Sequence, residues 1–352
     1  MTPVTSTFDD LGGWPAILGA LQAGNDLDSS QTEAVLTEML KGEATDAQIA
    51  AYVVAIRQKG ETVDELAGMV RAMQTAATPL SMPDGCIDIV GMGGAPSRRK
   101  AALNVSTMAC FVVAGAGAVV CKHGNRKASS TSGSFDLLEA LGVNFDVSPE
   151  SLQTVVEQTS VGFAFARTYH PSMRHVGPVR MQLGIPTVFN ALGPLAHPAR
   201  LQRQVVGVGD AGLAHRMAAV LAATGSTDAW VVTGHGPLDE LATTGPTTVQ
   251  VLQDGAIRTE TIDPVALGLA TPNDGDLDGG DADQNAAITR RVFSGEGGPI
   301  RDIIMLNAAA GLVVAGVVES LEDGLQRSAV AIDSGAAAET LDAHIEATNA
   351  VA

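Results

Sequence analysis

Residues 87–122, IDIVGMGGAPSRRKAALNVSTMACFVVAGAGAVVCK, read as strand, glycine loop, helix and strand. IDIV is a short apolar run closed by Gly91, Gly93 and Gly94; the helix is expected from about Thr107, and AVVCK is the next β run. The same alternation continues downstream with a helix from about Phe135 and then VGFAFA, followed in the second half by QVVGVG and AWVVTG. Short β runs separated by helices imply a largely parallel sheet, with ligands held beyond the carboxyl ends of its strands. TTVQVL and AIRTETI then predict a hairpin-like excursion, and helices from about Asp283 and Asp302 close the chain.

Upstream of Cys86 the pattern is helical. Ser30 with Glu33, Thr45 with Gln48 and Thr62 with Glu65 read as three capping boxes, each opening a run with helical apolar spacing. Gly42 and Gly60 stop two of those helices. The 352 residues exceed one ordinary core of roughly 100–200 residues, so two domains are expected. An apolar content of 45% with few aromatics suits an α/β interior packed with Ala, Val and Leu, and excludes wholesale disorder. The longest apolar run, Met108–Cys121, is too short for a bilayer and is interrupted by Gly115 and Gly117. With no signal peptide in view, and with Cys86, Cys110 and Cys121 lacking metal-site spacing, the expectation is a soluble cytoplasmic protein with reduced thiols.

A formal net charge of −18 argues against non-specific nucleic-acid binding, which needs a basic surface. Nine of the 21 Lys and Arg lie between Arg98 and Arg180, which reads either as a local anion site or as a solvated basic face. The glycine loop adds to the first reading: glycines let backbone approach a phosphate, and Ser106 and Thr107 stand at the expected helix start where free amides also point. A glycine cluster after a strand is also the mark of an ordinary tight turn, and neither a Walker loop nor GxGxxG spacing is present. Lys122 leaves the strand AVVCK toward that loop, with His123 and Asn125 next to it. Arg180, on an expected helix HPSMRHVGPVRMQLG kinked at Pro178, offers a planar guanidinium suited to a carboxylate. Asp239 and Glu240 follow the strand AWVVTG and could hold Mg²⁺ if phosphates and water complete its shell. Asp274, Asp276, Asp278 and Gly279 imitate the opening of a calcium loop, but the twelfth position is Asn285 rather than a bidentate Glu, so the segment reads as an acidic surface loop.

KHGNRKASSTSGSFD (122–136), HPSMRHVGPVRMQLGIPTVFNALGPLAHP (170–198), GPLDEL, GGDADQNAA and LNAAAGL together resemble the anthranilate phosphoribosyltransferase family, and the resemblance runs over essentially the whole chain. The family's loop GTGGD reads GMGGA here, so Met92 and Ala95 depart from it, and PSRRKAAL lengthens the approach to Asn104. Phe135 stands where the family prefers a small residue.

The resemblance implies a small discontinuous helical domain, residues 1–80 plus 172–192, hinged to a larger α/β domain, residues 81–171 plus 193–352, with a mainly parallel sheet. It further implies a homodimer formed through the helical part. It implies phosphoribosyl pyrophosphate at Gly91, Gly93, Gly94, Asn104, Ser106, Thr107, Lys122, Asn125, Ser130 and Ser134. Anthranilate would meet Gly91, His123, Asn125, His170 and Arg180, and Mg²⁺ would be held by Ser106, Asp239 and Glu240. The implied reaction is transfer of the phosphoribosyl group to the amine of anthranilate, which needs positioning and charge stabilisation and no side-chain nucleophile. A related transferase or phosphorylase with another aromatic acceptor, and a non-catalytic nucleic-acid-binding relative, are the alternatives.

Overall fold

The computed structural model describes residues 8–93, 101–127 and 131–351; Gly94, Ala95, the Arg98–Lys100 run and Ser130 lie outside the described residues. Four helices come first: α1 Gly13–Gln22, α2 Ser29–Lys41, α3 Asp46–Lys59 and α4 Val63–Ala76. β1 Ile87–Gly91, α5 Val105–Gly115, β2 Val120–Gly124, α6 Ser134–Leu141, α7 Pro149–Thr159 and β3 Val161–Phe165 follow. A connecting stretch holds α8 Ala166–Tyr169, a 3-10 turn Pro171–His175, α9 Gly177–Leu183 and α10 Phe189–Leu195. The chain then runs β4 Arg203–Gly207, α11 Ala211–Ala223, β5 Asp228–Thr233, β6 Thr247–Gln253 and β7 Ala256–Ile262, ending in α12 Ala282–Phe293, α13 Pro299–Ala315, α14 Leu321–Asp333 and α15 Ala336–Ala350.

The seven strands form one sheet in the order β3-β2-β1-β4-β5-β6-β7. The first five are parallel, and β6 and β7 add the expected antiparallel excursion. A parallel sheet must be covered on both faces, which is why its strands read as apolar runs instead of alternating. Ile87, Ile89, Val205 and Val232 pack on one side with α5 and α13, while Val90, Val206, Val208 and Val231 share a core with α11, the N-terminal helices and α10. The apolar stretch through α5 is explained by the same logic: it lies between the sheet and helices α13 and α15, so every one of its faces is buried.

Two local expectations are corrected. α2 opens at Asp28, whose side chain accepts from the Gln31 amide while Gln31 Oε1 accepts from the Asp28 amide. Ser30 and Glu33 are already inside the helix, and Glu33 instead pairs with Arg71 of α4 at 2.8 Å. The boxes at Thr45–Gln48 and Thr62–Glu65 stand as read. The segment 170–184 is not one kinked helix. Pro178 lies in the first turn of α9, where a proline's missing N–H costs nothing, and a 3-10 turn precedes it.

Candidate active site

The carboxyl ends of β1 and β2, the start of α5 and the segment after β5 enclose a cavity of about 370 Å³. Its wall includes Gly91, Gly93, Asn104, Ser106, Thr107, Lys122, His123, Asn125, Ser134, Asp239 and Glu240, so most of the residues singled out from the sequence converge on one space. A larger cavity of about 460 Å³ lies beside Trp230 and β7, far from the glycine loop, and its wall carries none of those groups.

Glycines make the enclosure possible. A Cβ on Gly207 would stand 1.7 Å from the Asp239 carbonyl oxygen, and one on Gly91 would stand 2.5 Å from Asp239 Oδ2. Only bare backbone at the ends of β1 and β4 lets the acidic segment lie this close. Asp239 Oδ2 then accepts from the Gly93 amide at 2.6 Å, tying the acidic pair to the glycine loop. Asp239, Glu240 and Ser106 offer hard oxygen donors that suit Mg²⁺, provided that substrate phosphates and water supply the rest of its shell. Among the described residues no group of three or more His, Cys, Asp or Glu is placed to hold a metal unaided.

On the opposite wall, Ser134 Oγ donates to the Asn125 carbonyl at 3.1 Å, and the Asn125 side chain accepts from the Arg126 amide. Arg126 itself is committed to Glu139, so this cation serves the loop's shape. Asn104, expected as a ligand, has its side chain engaged: Oδ1 accepts from Ser132 Oγ at 2.9 Å and from Asn285 Nδ2 at 2.8 Å. Asn285 also donates to the Ala102 carbonyl at 2.7 Å. It ties α12 to the 102–104 approach to α5 and was missed in the sequence, where it counted only as the position that spoils a calcium loop. Asn190, which also lines the cavity and accepts from the Thr187 amide, was missed although it lies inside a quoted string.

His170 and Arg180 stand outside the cavity wall. His170 is buried behind His123, with ring centroids 5.1 Å apart. Arg180, on α9, places its guanidinium 5.2 Å from the Phe189 ring centre, and among the described residues no carboxylate pairs with it. Phe189 begins α10, whose Gly193 carbonyl meets His123 Nδ1 at 3.2 Å. A carbonyl can only accept, so Nδ1 carries the proton and Nε2, which is buried without a partner, is a bare acceptor.

Burial holds these imidazoles neutral. It pushes His123 well below its ordinary range, His170 to about 4, and His197 and His344 to about 3. Each therefore opposes acid: below the unfolded value of 6.5 the unfolded chain takes up protons that the folded one refuses, until pH reaches the folded value. Asp88, raised to about 7 by burial, acts in the opposite sense between 7 and 3.8. Asp302, raised by burial, acts in the same sense as Asp88, but with four imidazoles against two carboxyls the thermal midpoint is expected to be lower at pH 5 than at pH 7, which scanning calorimetry measures. An equal or higher midpoint at pH 5 would mean that these rings are not held neutral.

Two family profiles match the chain: a glycosyl transferase helical bundle domain over residues 15–77 and a glycosyl transferase a/b domain over residues 84–338. The anthranilate phosphoribosyltransferase of Nocardioides sp. (strain ATCC BAA-499 / JS614) is 46% identical over 340 residues, covering 95% of this chain and 98% of the relative. The crystal structure of the Thermus thermophilus anthranilate phosphoribosyltransferase superimposes with a TM-score of 0.88 at 38% identity, over 95% of this chain and 99% of that one. The Saccharomyces cerevisiae enzyme in complex with PRPP and Mg superimposes with a TM-score of 0.87 at 27% identity, over 96% and 98%.

Proposed function

The chain belongs to the anthranilate phosphoribosyltransferase family, and on that premise we propose that it transfers the phosphoribosyl group of phosphoribosyl pyrophosphate to anthranilate with Mg²⁺. The products are N-(5-phosphoribosyl)anthranilate and pyrophosphate, in tryptophan biosynthesis. The observation that carries the reading is one cavity in which a glycine loop, the Ser106 and Ser134 hydroxyls and Lys122 face the Asp239–Glu240 pair, with a neutral His123 in the wall.

The donor's phosphates suit the Gly91–Gly93 backbone, Asn104, Ser106, Thr107, Lys122, Asn125 and Ser134; Gly94 and Ser130 complete that set by family resemblance. The acceptor suits the side of Gly91, His123 and Asn125, residues of the cavity wall. Behind them His170 fixes the ring of His123, and Arg180 awaits the carboxylate. The amine nitrogen bonds to the anomeric carbon as the bond from that carbon to pyrophosphate breaks, and the amine then loses a proton. When bound at Asp239, Glu240 and Ser106, Mg²⁺ offsets the charge of the departing pyrophosphate. The chain's own residues orient both partners and need form no covalent intermediate.

We further assign residues 1–80 plus 172–192 to a helical part that forms a homodimer, and 81–171 plus 193–352 to the donor-binding part, in the cytoplasm. No helix among the described residues is long and apolar enough to cross a membrane. The test is incubation with anthranilate, phosphoribosyl pyrophosphate and Mg²⁺ while following anthranilate fluorescence. Loss of fluorescence that needs all three is the expected result, and no loss at any Mg²⁺ concentration would overturn the reading.

A further inference from the structure

β1 and β2 are parallel neighbours, yet they share a single register pair, Ile87–Val120, whereas β1 with β4 and β2 with β3 share five each. Beyond that pair the two strands stay side by side without further backbone pairing, at the ends that wall the cavity. Backbone groups taken out of a ladder and buried must find other partners. Here side chains supply them. Asp88 Oδ1 accepts from the His123 amide at 3.1 Å, Lys122 Nζ donates to the Ile89 carbonyl at 2.5 Å, and His197 Nε2 meets the Cys121 carbonyl at 2.9 Å. The Ala199 amide donates to His197 Nδ1, so the proton of His197 is on Nε2 and the last contact is a true donation.

We propose that Asp88 is a positioning residue for the transfer reaction. It replaces the missing rung between β1 and β2, ties the two strand ends together, and fixes the backbone that carries the His123 imidazole on the acceptor side. This rests on the reading of the site given above. Asp88 is fully buried and is not part of the cavity wall, so it acts only through His123 and the strand gap. The Lys122 ammonium and the thiols of Cys86, Cys110 and Cys121 are the titratable groups around it. Its second oxygen, Oδ2, is buried with no hydrogen-bond partner among the described residues, so a proton taken up near neutral pH sits there and leaves Oδ1 free to accept. The rung therefore survives in either charge state, and an asparagine, whose amide oxygen also accepts, should reproduce it.

The experiment compares Asp88→Ala and Asp88→Asn with the wild type. Asp88→Ala is expected to raise the KM for anthranilate by about tenfold, the scale of one lost buried hydrogen bond, while phosphoribosyl pyrophosphate binding by calorimetry stays within about threefold. Asp88→Asn should restore both to within about threefold. Amide hydrogen exchange over residues 119–127 should quicken in Asp88→Ala and return to the wild-type rate in Asp88→Asn, a readout that needs no turnover. Equal impairment of both variants, an unchanged anthranilate KM in Asp88→Ala, or unchanged exchange would overturn the proposal. Should Asp88→Ala not fold, Asp88→Asn decides alone: a rise of about tenfold in anthranilate KM refutes the rung, and wild-type values support it. A wild-type protein that consumes no anthranilate would instead remove the proposed activity, leaving the exchange comparison to judge the strand bridge.

Discussion

Asp239→Asn combined with Glu240→Gln is expected to lower kcat by about 10³-fold at saturating anthranilate, the scale seen when charge stabilisation of a transition state is removed. The reason lies in how little else the cavity offers the departing pyrophosphate. Lys122 Nζ gives one of its three N–H groups to the Ile89 carbonyl, and Arg126 is committed to Glu139. The charge that develops on the leaving group must then be met by hydroxyls, amides, the Lys122 ammonium and a cation held at the acidic pair. Both substitutions keep size, and the new side-chain amide in place of the Asp239 carboxylate would retain one oxygen to accept from the Gly93 amide, so the glycine loop should keep its place. The stated loss is thus one of charge rather than of shape. Turnover measured across a Mg²⁺ titration checks it: the variant's residual rate should respond weakly to Mg²⁺, and a wild-type rate at limiting Mg²⁺ would take the metal away from these two residues.

How far the sequence carries depends on what kind of information each feature holds. The strands were legible because burial on both faces writes itself as continuous apolar runs, and the helices because one buried stripe repeats every three to four residues. The glycine loop and the 122–136 string were legible because chemistry near a phosphate restricts residue type, and most of the residues taken from them do line one cavity. Polar partnerships were not legible. Asp28 and Ser30 look equally able to cap α2, and only the Gln31 side chain, reaching back to the Asp28 amide, decides between them. The bridge across β1 and β2 unites Asp88, Lys122 and His197, the last of these more than seventy residues from its partner Cys121. Periodicity tells which side of an element faces inward; it does not tell which buried amide or carbonyl lacks a partner. Asn285 was hidden for the same reason, since nothing local announces that it will meet Asn104.

Arg180→Ala should cost about 2–3 kcal/mol in kcat/KM for anthranilate, a loss of about 30- to 150-fold, which is the range for a charged hydrogen bond to substrate. The structure gives this residue an unusual standing. It is half-buried, burial lowers its pKa, and among the described residues its recorded partner is the face of Phe189. A guanidinium kept partly dry with no carboxylate among the described residues is costly unless an anion completes it. Anthranilate carries that anion in a plane that a guanidinium can grip with two parallel hydrogen bonds, and a lysine cannot match the geometry. Arg180→Lys is therefore expected to recover only part of the loss, and benzoate-like anions should compete with anthranilate in the wild type but weakly in Arg180→Ala. The effect should fall on the acceptor's KM, because the carboxylate keeps its charge through the transition state and is bound equally before and during transfer. Steady-state kinetics with each substrate varied in turn separates the outcomes. If anthranilate's KM is unchanged in Arg180→Ala while kcat falls, the side chain acts on the reacting atoms. If both constants are unchanged, the carboxylate is held elsewhere, and the next residue to test is Asn190 at the mouth of the same cavity.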